Sequence, residues 1–268
     1  MPAFICATCG TQFAPAAAPP RSCPVCEDER QFVPAGGQRW ITLTDLAVGH
    51  NNAWRQHERD LLGIGTTPAF AIGQRALLVR TQAGNVLWDC VSLIDAASIT
   101  LVRALGGVAA IAISHPHFYS SMVEWADAFG AEVWLHAADR EWVMRPDPRI
   151  RFWSGEAQPL PGGLTLINAP GHFDGATMLH WPAGAEGRGA LLSGDIIHVA
   201  ADGKSAGFMR SYPNYIPLGA AAVARIGAAV APFAFERVYG AWFDRVIAQD
   251  GKAAVERSVA RALRWLRE

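Results

Sequence analysis

The sequence lacks the features that mark a membrane protein or a nucleic-acid-binding protein. It has no uninterrupted apolar run of the roughly 18 residues that a membrane span requires, and its first residues do not resemble a secretory signal. Its 23 lysines and arginines are balanced by 24 aspartates and glutamates, so no basic excess is present to attract a phosphate backbone or an anionic membrane. We therefore expect a soluble, cytoplasmic protein with no clear nucleic-acid partner and no membrane partner. The sequence specifies no oligomeric state.

Cysteine is also scarce, and four of the five cysteines stand in two Cys-x-x-Cys pairs near the N-terminus. The pairs are Cys6 with Cys9 and Cys23 with Cys26. In a reducing compartment this spacing favours one metal ion held by four thiolates, because so short a segment has too little core to fold without a staple. Disulfides are the alternative. The fifth cysteine, Cys90, lies in an apolar strand pattern and is predicted to be a core residue.

The motifs Cys-x-x-Cys-Gly and Cys-Pro-x-Cys resemble the knuckles of zinc ribbons and rubredoxins. The resemblance implies a small zinc ribbon over residues 1–36 with a structural zinc ion, and iron as a redox centre is the alternative. Four thiolates close the coordination sphere and leave no position for a substrate, which favours the structural role.

Two histidines stand where an apolar run ends. Residues 106–113 read as a buried strand after Gly-Gly, and the strand is followed by His115-Pro-His117. Pro116 disfavours the α region for the residue before it, so His115 should be extended, with both imidazoles on one side. Such a pair can bind one metal ion, although two solvent-facing loop histidines would show the same pattern.

Two further polar residues follow other apolar strands. His172 comes after Pro170-Gly, and Asp195 comes after Ser193-Gly. In open α/β sheets ligands gather at strand ends, so these residues can converge with the histidine pair. Three imidazoles and one carboxylate form a zinc site, and iron is the alternative ion.

The ordered set Asp89, His115-Pro-His117, Pro170-Gly-His172 and Ser193-Gly-Asp195 resembles the metallo-β-lactamase-fold hydrolases. The resemblance implies an α/β fold, an αββα sandwich in residues 37–268, preceded by the ribbon. It also implies that the three histidines bind one metal, that Asp195 is a carboxylate ligand, and that Asp89 supports the ligands from behind.

The chain departs from the family pattern at the ligands of a second metal. The family has His-x-His-x-x-Asp-His, whereas this chain has Ser120 and Ser121 at the last two positions, and the final family histidine is absent from residues 239–242. We therefore expect a mononuclear site. Ser121 with Glu124 matches a capping box and predicts a helix start. His198 is the candidate substitute ligand, with a polar loop residue as the alternative.

The expected activity is hydrolysis of a small-molecule ester, thioester, lactone or amide by zinc-bound hydroxide, because zinc held by imidazoles lowers the pKa of its water to about 7. Asp195 is a candidate base, Asp174 can orient water, and His198 can contact substrate. Candidate substrate contacts are Tyr119, Arg210 and Tyr212, although ordinary loop packing explains Arg210 and Tyr212 equally well.

Two other classes of function fit the same sequence. One is a non-catalytic metal-binding protein with a degenerate site, whose ribbon docks a partner. The other is a redox protein with iron in the knuckles.

Local patterns also predict several elements. Asp95 should cap a helix over residues 96–105. Residues 54–61 are predicted to form a short helix that carries a surface His57, and residues 70–73 a strand.

Overall fold

Two β-sheets packed face to face, with helices on their outer faces, make up the body of the computed structural model, which describes residues 1–267. The strands are β1 Ile5–Cys6, β2 Trp40–Ile41, β3 Asn51–Glu58, β4 Leu61–Thr67, β5 Arg75–Val79, β6 Val86–Trp88, β7 Ala110–Ala112, β8 Glu132–His136, β9 Ile150–Trp153, β10 Ala157–Pro159, β11 Thr165–Asn168, β12 Thr177–Trp181, β13 Ala190–Gly194, β14 His198–Val199, β15 Ala206–Gly207, β16 Met209–Ser211, β17 Ile216–Pro217, β18 Arg237–Gly240 and β19 Val246–Ile247. The α-helices are α1 Pro24–Glu27, α2 Leu43–Gly49, α3 Ala96–Ala104, α4 Met122–Phe129, α5 Gly184–Gly187, α6 Ala220–Val230 and α7 Gly251–Trp265.

The core between the sheets comes from strand faces that point inward. The first sheet has the order β3-β4-β5-β6-β7-β8-β9, and the second has the order β10-β11-β12-β13-β18-β19. Leu77 and Trp88 of the first sheet belong to one buried cluster with Leu179 and Leu192 of the second. Strands buried on both faces need apolar residues at successive positions, which explains the continuous apolar runs in the sequence.

The outer faces of the two sheets are covered by helices. Ile111 of β7 packs in one cluster with Val102 of α3 and Trp125 of α4. On the other side, Leu191 of β13 packs in one cluster with Ile226 of α6 and with residues of α7. Four layers result, so the predicted αββα sandwich is confirmed.

The helix predicted over residues 54–61 is wrong. These residues belong to β3 and to the start of β4, which pair antiparallel with Trp54 opposite Ile64. Gly63 and Gly65 on the partner strand leave room for the ring of Phe243, so packing in the sheet overrides a weak helical pattern. Residues 70–73 form a turn closed by a Gly73 N–H to Phe70 carbonyl bond, so the strand predicted there is also wrong.

Other local predictions are confirmed. The helix after Asp95 spans Ala96–Ala104, and the Asp95 carboxylate accepts a hydrogen bond from the Ser98 N–H at 2.6 Å. Cys90 is fully buried in the first core. Among residues 1–267, no helix is both long and apolar enough to cross a membrane.

The N-terminal segment is tied to the chain that follows it. Ile5 and Cys6 of β1 pair with Ile41 and Trp40 of β2, so the small sheet of the ribbon includes residues beyond position 36. The boundary between residues 36 and 37 stays a prediction, and residue 268, the end of the second predicted domain, lies outside the described residues.

Arg75 is a buried cation on β5 that depends on a neutral histidine. It is 1% exposed, and its guanidinium donates to His57 Nε2 at 2.7 Å and to the Gly240 and Phe243 carbonyls. Burial, and next the charge of Arg75, lower the pKa of His57 from 6.5 to about 4. His57 is therefore a partly buried hydrogen-bond acceptor for Arg75 and not the freely solvated surface residue that was predicted.

We expect His57→Gln to flatten the pH dependence of the unfolding free energy between pH 4 and 6.5. Because the folded pKa lies below the unfolded value, the unfolded chain binds more protons in this window, so the wild type loses stability as pH falls through it. After a discount for partial exposure, the loss assigned to His57 is about 1 to 2 kcal/mol. Urea unfolding at pH 4.5 and pH 7 checks this; equal slopes in wild type and variant would contradict it.

Candidate metal centre

The His-Pro-His turn holds two imidazoles inward at the end of β7. His115 has φ −172° and ψ 172°, so the predicted extended backbone before Pro116 is confirmed. Pro116 then begins a one-turn 3₁₀ helix that ends at Phe118. Both imidazoles are buried, and their ring centroids lie 5.2 Å apart.

The structure brings the four predicted ligands together. His172 sits in the turn after β11, and Asp195 follows β13. With His115 and His117 they offer four ligand atoms that all lie within 4.8 Å of one another, and all four residues are buried. Residues eighty positions apart therefore share one edge of the sandwich.

The spacing of these atoms fits a single ion. His117 Nδ1 lies 3.1 Å from His172 Nε2, and His115 Nε2 lies 3.3 Å from Asp195 Oδ1. A tetrahedron with zinc–ligand bonds of 2.0–2.1 Å has an edge of about 3.3 Å.

Second contacts aim the imidazoles at the centre. His172 Nδ1 donates to the Met209 carbonyl at 3.0 Å, and His115 Nδ1 lies 2.9 Å from Ser114 Oγ. The Nε2 atoms of His172 and His115 are thereby left free to bind a metal ion. His115 Nε2 and Asp195 Oδ1 are buried and have no hydrogen-bond partner among residues 1–267, a costly arrangement that a bound cation would relieve.

The electrostatics of the cluster also suit a cation. Burial is the main cause that lowers the pKa of His115, His117 and His172, the last to about 4, so the imidazoles are neutral, as a metal ligand requires. Burial, and next the charge of Asp89, raise the pKa of Asp195 to about 8. A positive ion between these groups would keep the Asp195 carboxylate ionised.

Asp89 is hydrogen-bonded to the segment that carries His115. It is 1% exposed, its φ is 61°, and its Oδ1 accepts a 2.7 Å hydrogen bond from the Ser114 N–H. Because Ser114 precedes His115, this bond fixes the segment that carries the first imidazole. The placement agrees with the supporting role that the resemblance implies.

The positions of a second metal's ligands are used differently in this chain. Ser120 Oγ accepts from Gln74 Nε2 at 3.0 Å, and the Ser120 carbonyl accepts from the Gln12 N–H at 3.1 Å. At the end of β18, where the family has its last histidine, Trp242 lies with its ring 5.4 Å from that of His198. Ser120 therefore contacts the N-terminal segment, and Trp242 packs against His198.

The predicted capping box at Ser121 is wrong in its contacts. Helix α4 begins at Met122, so Ser121 is its N-cap residue, but the buried hydroxyl forms no hydrogen bond among residues 1–267. Glu124 instead accepts from Arg145 at 2.5 Å and from Gln12 Nε2 at 3.2 Å. The Glu124 carboxylate therefore contacts Arg145 and Gln12 instead of the backbone N–H of Ser121.

Three other predicted site residues lie outside the cluster. Asp174 is exposed, and its backbone carbonyl accepts from Asn168. Arg210 forms an ion pair with Glu29 at 2.9 Å, so its guanidinium is engaged by the N-terminal segment. His198 is partly buried, and its ring lies 4.8 Å from that of Tyr212.

The two predicted tyrosines have different positions. The Tyr212 hydroxyl donates to the Asp195 carbonyl, and its ring lies 5.9 Å from that of His172, so Tyr212 borders the centre. Tyr119 is buried in the first core, where burial raises its pKa well above the ordinary value.

Arg30 is a residue of the centre that the sequence analysis missed. It is 8% exposed, forms an ion pair with Asp28 at 2.5 Å, and stacks 3.8 Å from the Phe173 ring. Its Nη1 donates to the His172 carbonyl at 3.4 Å. No short-range pattern pairs residue 30 with residue 172, because the contact exists only when the ribbon packs on the sandwich.

Asp139 is a second residue that was missed. It is 2% exposed, and its Oδ1 accepts from the Gly175 N–H at 2.8 Å, which fixes the turn that carries His172. A Cβ atom at Gly175 would lie 2.7 Å from the Asp139 carboxyl carbon, so the close approach requires glycine.

The four N-terminal cysteines form a second cluster. Cys6 and Cys26 have Sγ atoms 3.6 Å apart, as do Cys9 and Cys23, and all four thiols are free. These distances exclude disulfides, so that alternative is wrong. They match the edge of about 3.8 Å expected for a tetrahedron with zinc–sulfur bonds near 2.3 Å.

Comparisons with known proteins relate the chain to one sequence relative and to many structures. The protein YmaE of Bacillus subtilis (strain 168), described as uncharacterized, is 48% identical over 268 residues, covering 99% of this chain and 97% of YmaE. No protein-family model matches the chain. A metallo-β-lactamase of Cronobacter sakazakii with a HARLDQ motif aligns at 17% identity and a TM-score of 0.51, over 82% of this chain and 93% of that chain. DIM-1 metallo-β-lactamase aligns at 11% identity and a TM-score of 0.59, over 78% of this chain and 96% of that chain. At these identities the structural matches show a shared fold.

Proposed function

Since this chain belongs to the same family as YmaE of Bacillus subtilis and has the metallo-β-lactamase fold, we propose that it is a metal-dependent hydrolase of a small-molecule ester, thioester, lactone or amide. The site is mononuclear, zinc is the ion at both clusters, and the four-cysteine cluster is structural. The carrying observation is that four buried ligand atoms converge beside a cavity, two of them without a partner among residues 1–267.

The three imidazoles and Asp195 would fill a tetrahedron, so hydrolysis at this site requires a fifth position on the ion, which catalytic zinc sites can open. A divalent ion bound by such side chains polarises a carbonyl oxygen and lowers the pKa of a water molecule to about 7. In the overall reaction, the oxygen of water bonds to the acyl carbon, the acyl–oxygen, acyl–sulfur or acyl–nitrogen bond breaks, and the leaving group receives a proton. No oxidant or reductant is required.

The residues of the chain orient the reactants. His117 and Asp195 line a cavity of about 190 Å³, so a carbonyl placed there lies against the ligand cluster. Asp195 accepts the proton of the attacking water. Tyr212 donates to the Asp195 carbonyl and so fixes the Asp195 loop. His198 borders a neighbouring cavity of about 650 Å³, and its proposed role is to contact the leaving group there.

Turnover on a panel of acetyl and butyryl esters, thioesters, lactones and amides tests the proposal. The metal-loaded wild type should hydrolyse at least one class, and Asp195→Asn should lower kcat/KM by about 10²-fold or more. Asp127→Asn is the matched control, because Asp127 is an exposed aspartate on α4 that forms an ion pair with Arg149. A metal-loaded wild type that turns over no member, or an Asp195→Asn variant with full activity, would overturn the proposal.

A further inference from the structure

Two cavities with different chemistry lie on either side of Trp242, and the smaller one borders the metal centre. The smaller, of about 190 Å³, includes His117, Asp195 and Trp242, and the larger, of about 650 Å³, includes His198 and Trp242. Trp242 lines both cavities, and the ring of His198 lies 4.8 Å from that of Tyr212, which lines the smaller one. A substrate with its carbonyl at the centre and its acyl group in the smaller cavity would reach the larger cavity by extending past Trp242 and Tyr212.

The smaller cavity is apolar and is built partly by the ribbon. Phe32 of the N-terminal segment faces Ala71, Ile72, Pro213 and Trp242 across it. Asn214 fixes this wall, since its Nδ2 donates to the Glu29 and Gln31 carbonyls at 2.9 Å each. A water-sized group occupies about 30 Å³, so a cavity of about 190 Å³ has room for about six atoms or groups of that size. It is sized for a compact acyl group.

The smaller cavity offers no free cation to an anionic acyl group among residues 1–267. Its one cationic side chain in that range, Arg30, is paired with Asp28 through two hydrogen bonds, of 2.5 and 2.9 Å. The other charged lining residue is Asp195, which would be bound to the proposed ion and offers no positive charge of its own. Apart from the proposed ion, whose open position the scissile carbonyl takes, a terminal carboxylate in this cavity would therefore lose its hydration without gaining a partner.

The larger cavity presents a cation instead. Arg245 lines it and has no carboxylate within 4.0 Å in the described part of the chain. Its neighbour Asp244 is engaged at 2.8 Å by Arg55. His198 lines the same cavity, and its pKa is lowered by burial first and by the charge of Arg245 second.

We propose that the substrate is an ester or thioester with a compact, uncharged apolar acyl group and an anionic leaving part, the acyl group in the smaller cavity and the anion at Arg245. This inference rests on the proposed hydrolase function and extends it to a substrate class. The ribbon thereby becomes one wall of the acyl pocket, and Phe32 and Arg245 are specificity-determining residues.

The acyl half is tested with butyryl and succinyl esters of 4-nitrophenol, which differ chiefly by a terminal carboxylate. We expect kcat/KM for butyryl to exceed that for succinyl by about 10²-fold, and Phe32→Ala to reduce the preference for butyryl over acetyl about fivefold. Val48→Ala is the control, because Val48 is an exposed apolar residue on α2. Equal rates on butyryl and succinyl esters would overturn the acyl assignment.

The leaving-group half is tested with butyryl esters of 4-nitrophenol and of its 3-carboxylate analogue. Arg245→Gln should raise KM about fivefold to tenfold for the anionic ester and leave KM for the neutral ester unchanged. Arg225→Gln is the matched control, since Arg225 is an exposed arginine on α6. If Arg245→Gln turned over both esters and its KM changed equally for the two, the hydrolase function would be supported and the proposed substrate class would be overturned.

Calorimetry with the unreactive butyl ethers of the same two phenols measures selectivity without turnover. The anionic ether should bind the wild type about fivefold more tightly than the neutral ether, and Arg245→Gln should abolish the difference. Equal affinities in the wild type would overturn the inference whether or not any ester is hydrolysed.

Discussion

Replacing His172 with alanine is expected to remove one of two bound metal ions per chain and to lower turnover by at least about 10³-fold. His172 supplies one of four ligand atoms in a buried cluster, and its loss leaves His115, His117 and Asp195 around a hole that opens to the cavity. Removing a residue that merely supports a ligand already costs roughly 10- to 100-fold in metal affinity or activity, so removal of a ligand costs more. Elemental analysis per chain, with turnover on the same sample, checks both effects.

The control for this variant is His50→Ala, because His50 lies outside both clusters and contacts the Leu46 carbonyl. It should keep two ions and wild-type turnover. Three ions in the wild type would mean that a second metal is bound beside the first, and His198 would be the next residue to change. A His172→Ala protein that keeps its full metal content would refute the proposed centre.

Cys9→Ser is expected to lose the other ion and to open the ribbon. The apolar core of the ribbon consists of little more than the cysteines, Phe13 and Val25, so the ion supplies most of its folding energy. Structural zinc contributes about 10–16 kcal/mol in isolated zinc-finger peptides, which is more than such a core provides. Residues 1–36 should then become sensitive to protease while the sandwich stays folded.

Unfolding of the ribbon should also lower turnover at the His115, His117, His172 and Asp195 site. Arg30 donates to the His172 carbonyl, and Phe32 lines the cavity beside Asp195, so an open ribbon removes a pocket wall without removing a metal ligand of the His site. We expect turnover to fall about tenfold or more while the second ion is retained. Cys90→Ala is the control, because this buried cysteine belongs to the sandwich core and should leave both ions in place.

Two outcomes would contradict this second prediction. A Cys9→Ser protein with both ions would show that the four cysteines do not share a metal. A red, visibly absorbing preparation would assign iron to the cluster, whereas zinc leaves it colourless.

The convergence of the candidate metal ligands could be predicted because each is carried by a short pattern. His115 and His117 are separated by one proline that fixes the backbone, and each of the other two follows an apolar strand and a glycine. The cysteine pairs are similarly local. Residue type and short spacing were therefore enough to predict the clusters, whereas the αββα sandwich was predicted from the resemblance to the metallo-β-lactamase-fold hydrolases.

Predictions failed where a distant contact displaced a local preference. Residues 54–61 join a sheet because β4 pairs with them and leaves space for Phe243. Glu124 leaves the cap of α4 for Arg145 and Gln12, and Arg210, predicted to bind substrate, is paired with Glu29. The distant partners among these are Phe243, Gln12 and Glu29, which only folding brings near.

The sequence by itself determined the ligand chemistry, since imidazoles, a carboxylate and thiolates bind metals wherever the backbone gathers them. Only the tertiary structure decided that the ribbon packs on the sandwich, that Arg30 lies over Phe173 and donates to the His172 carbonyl, and that Arg245 lines the larger cavity. The physical reason is separation along the chain. Contacts between residues more than a hundred positions apart depend on the packing of whole layers, which no local pattern encodes.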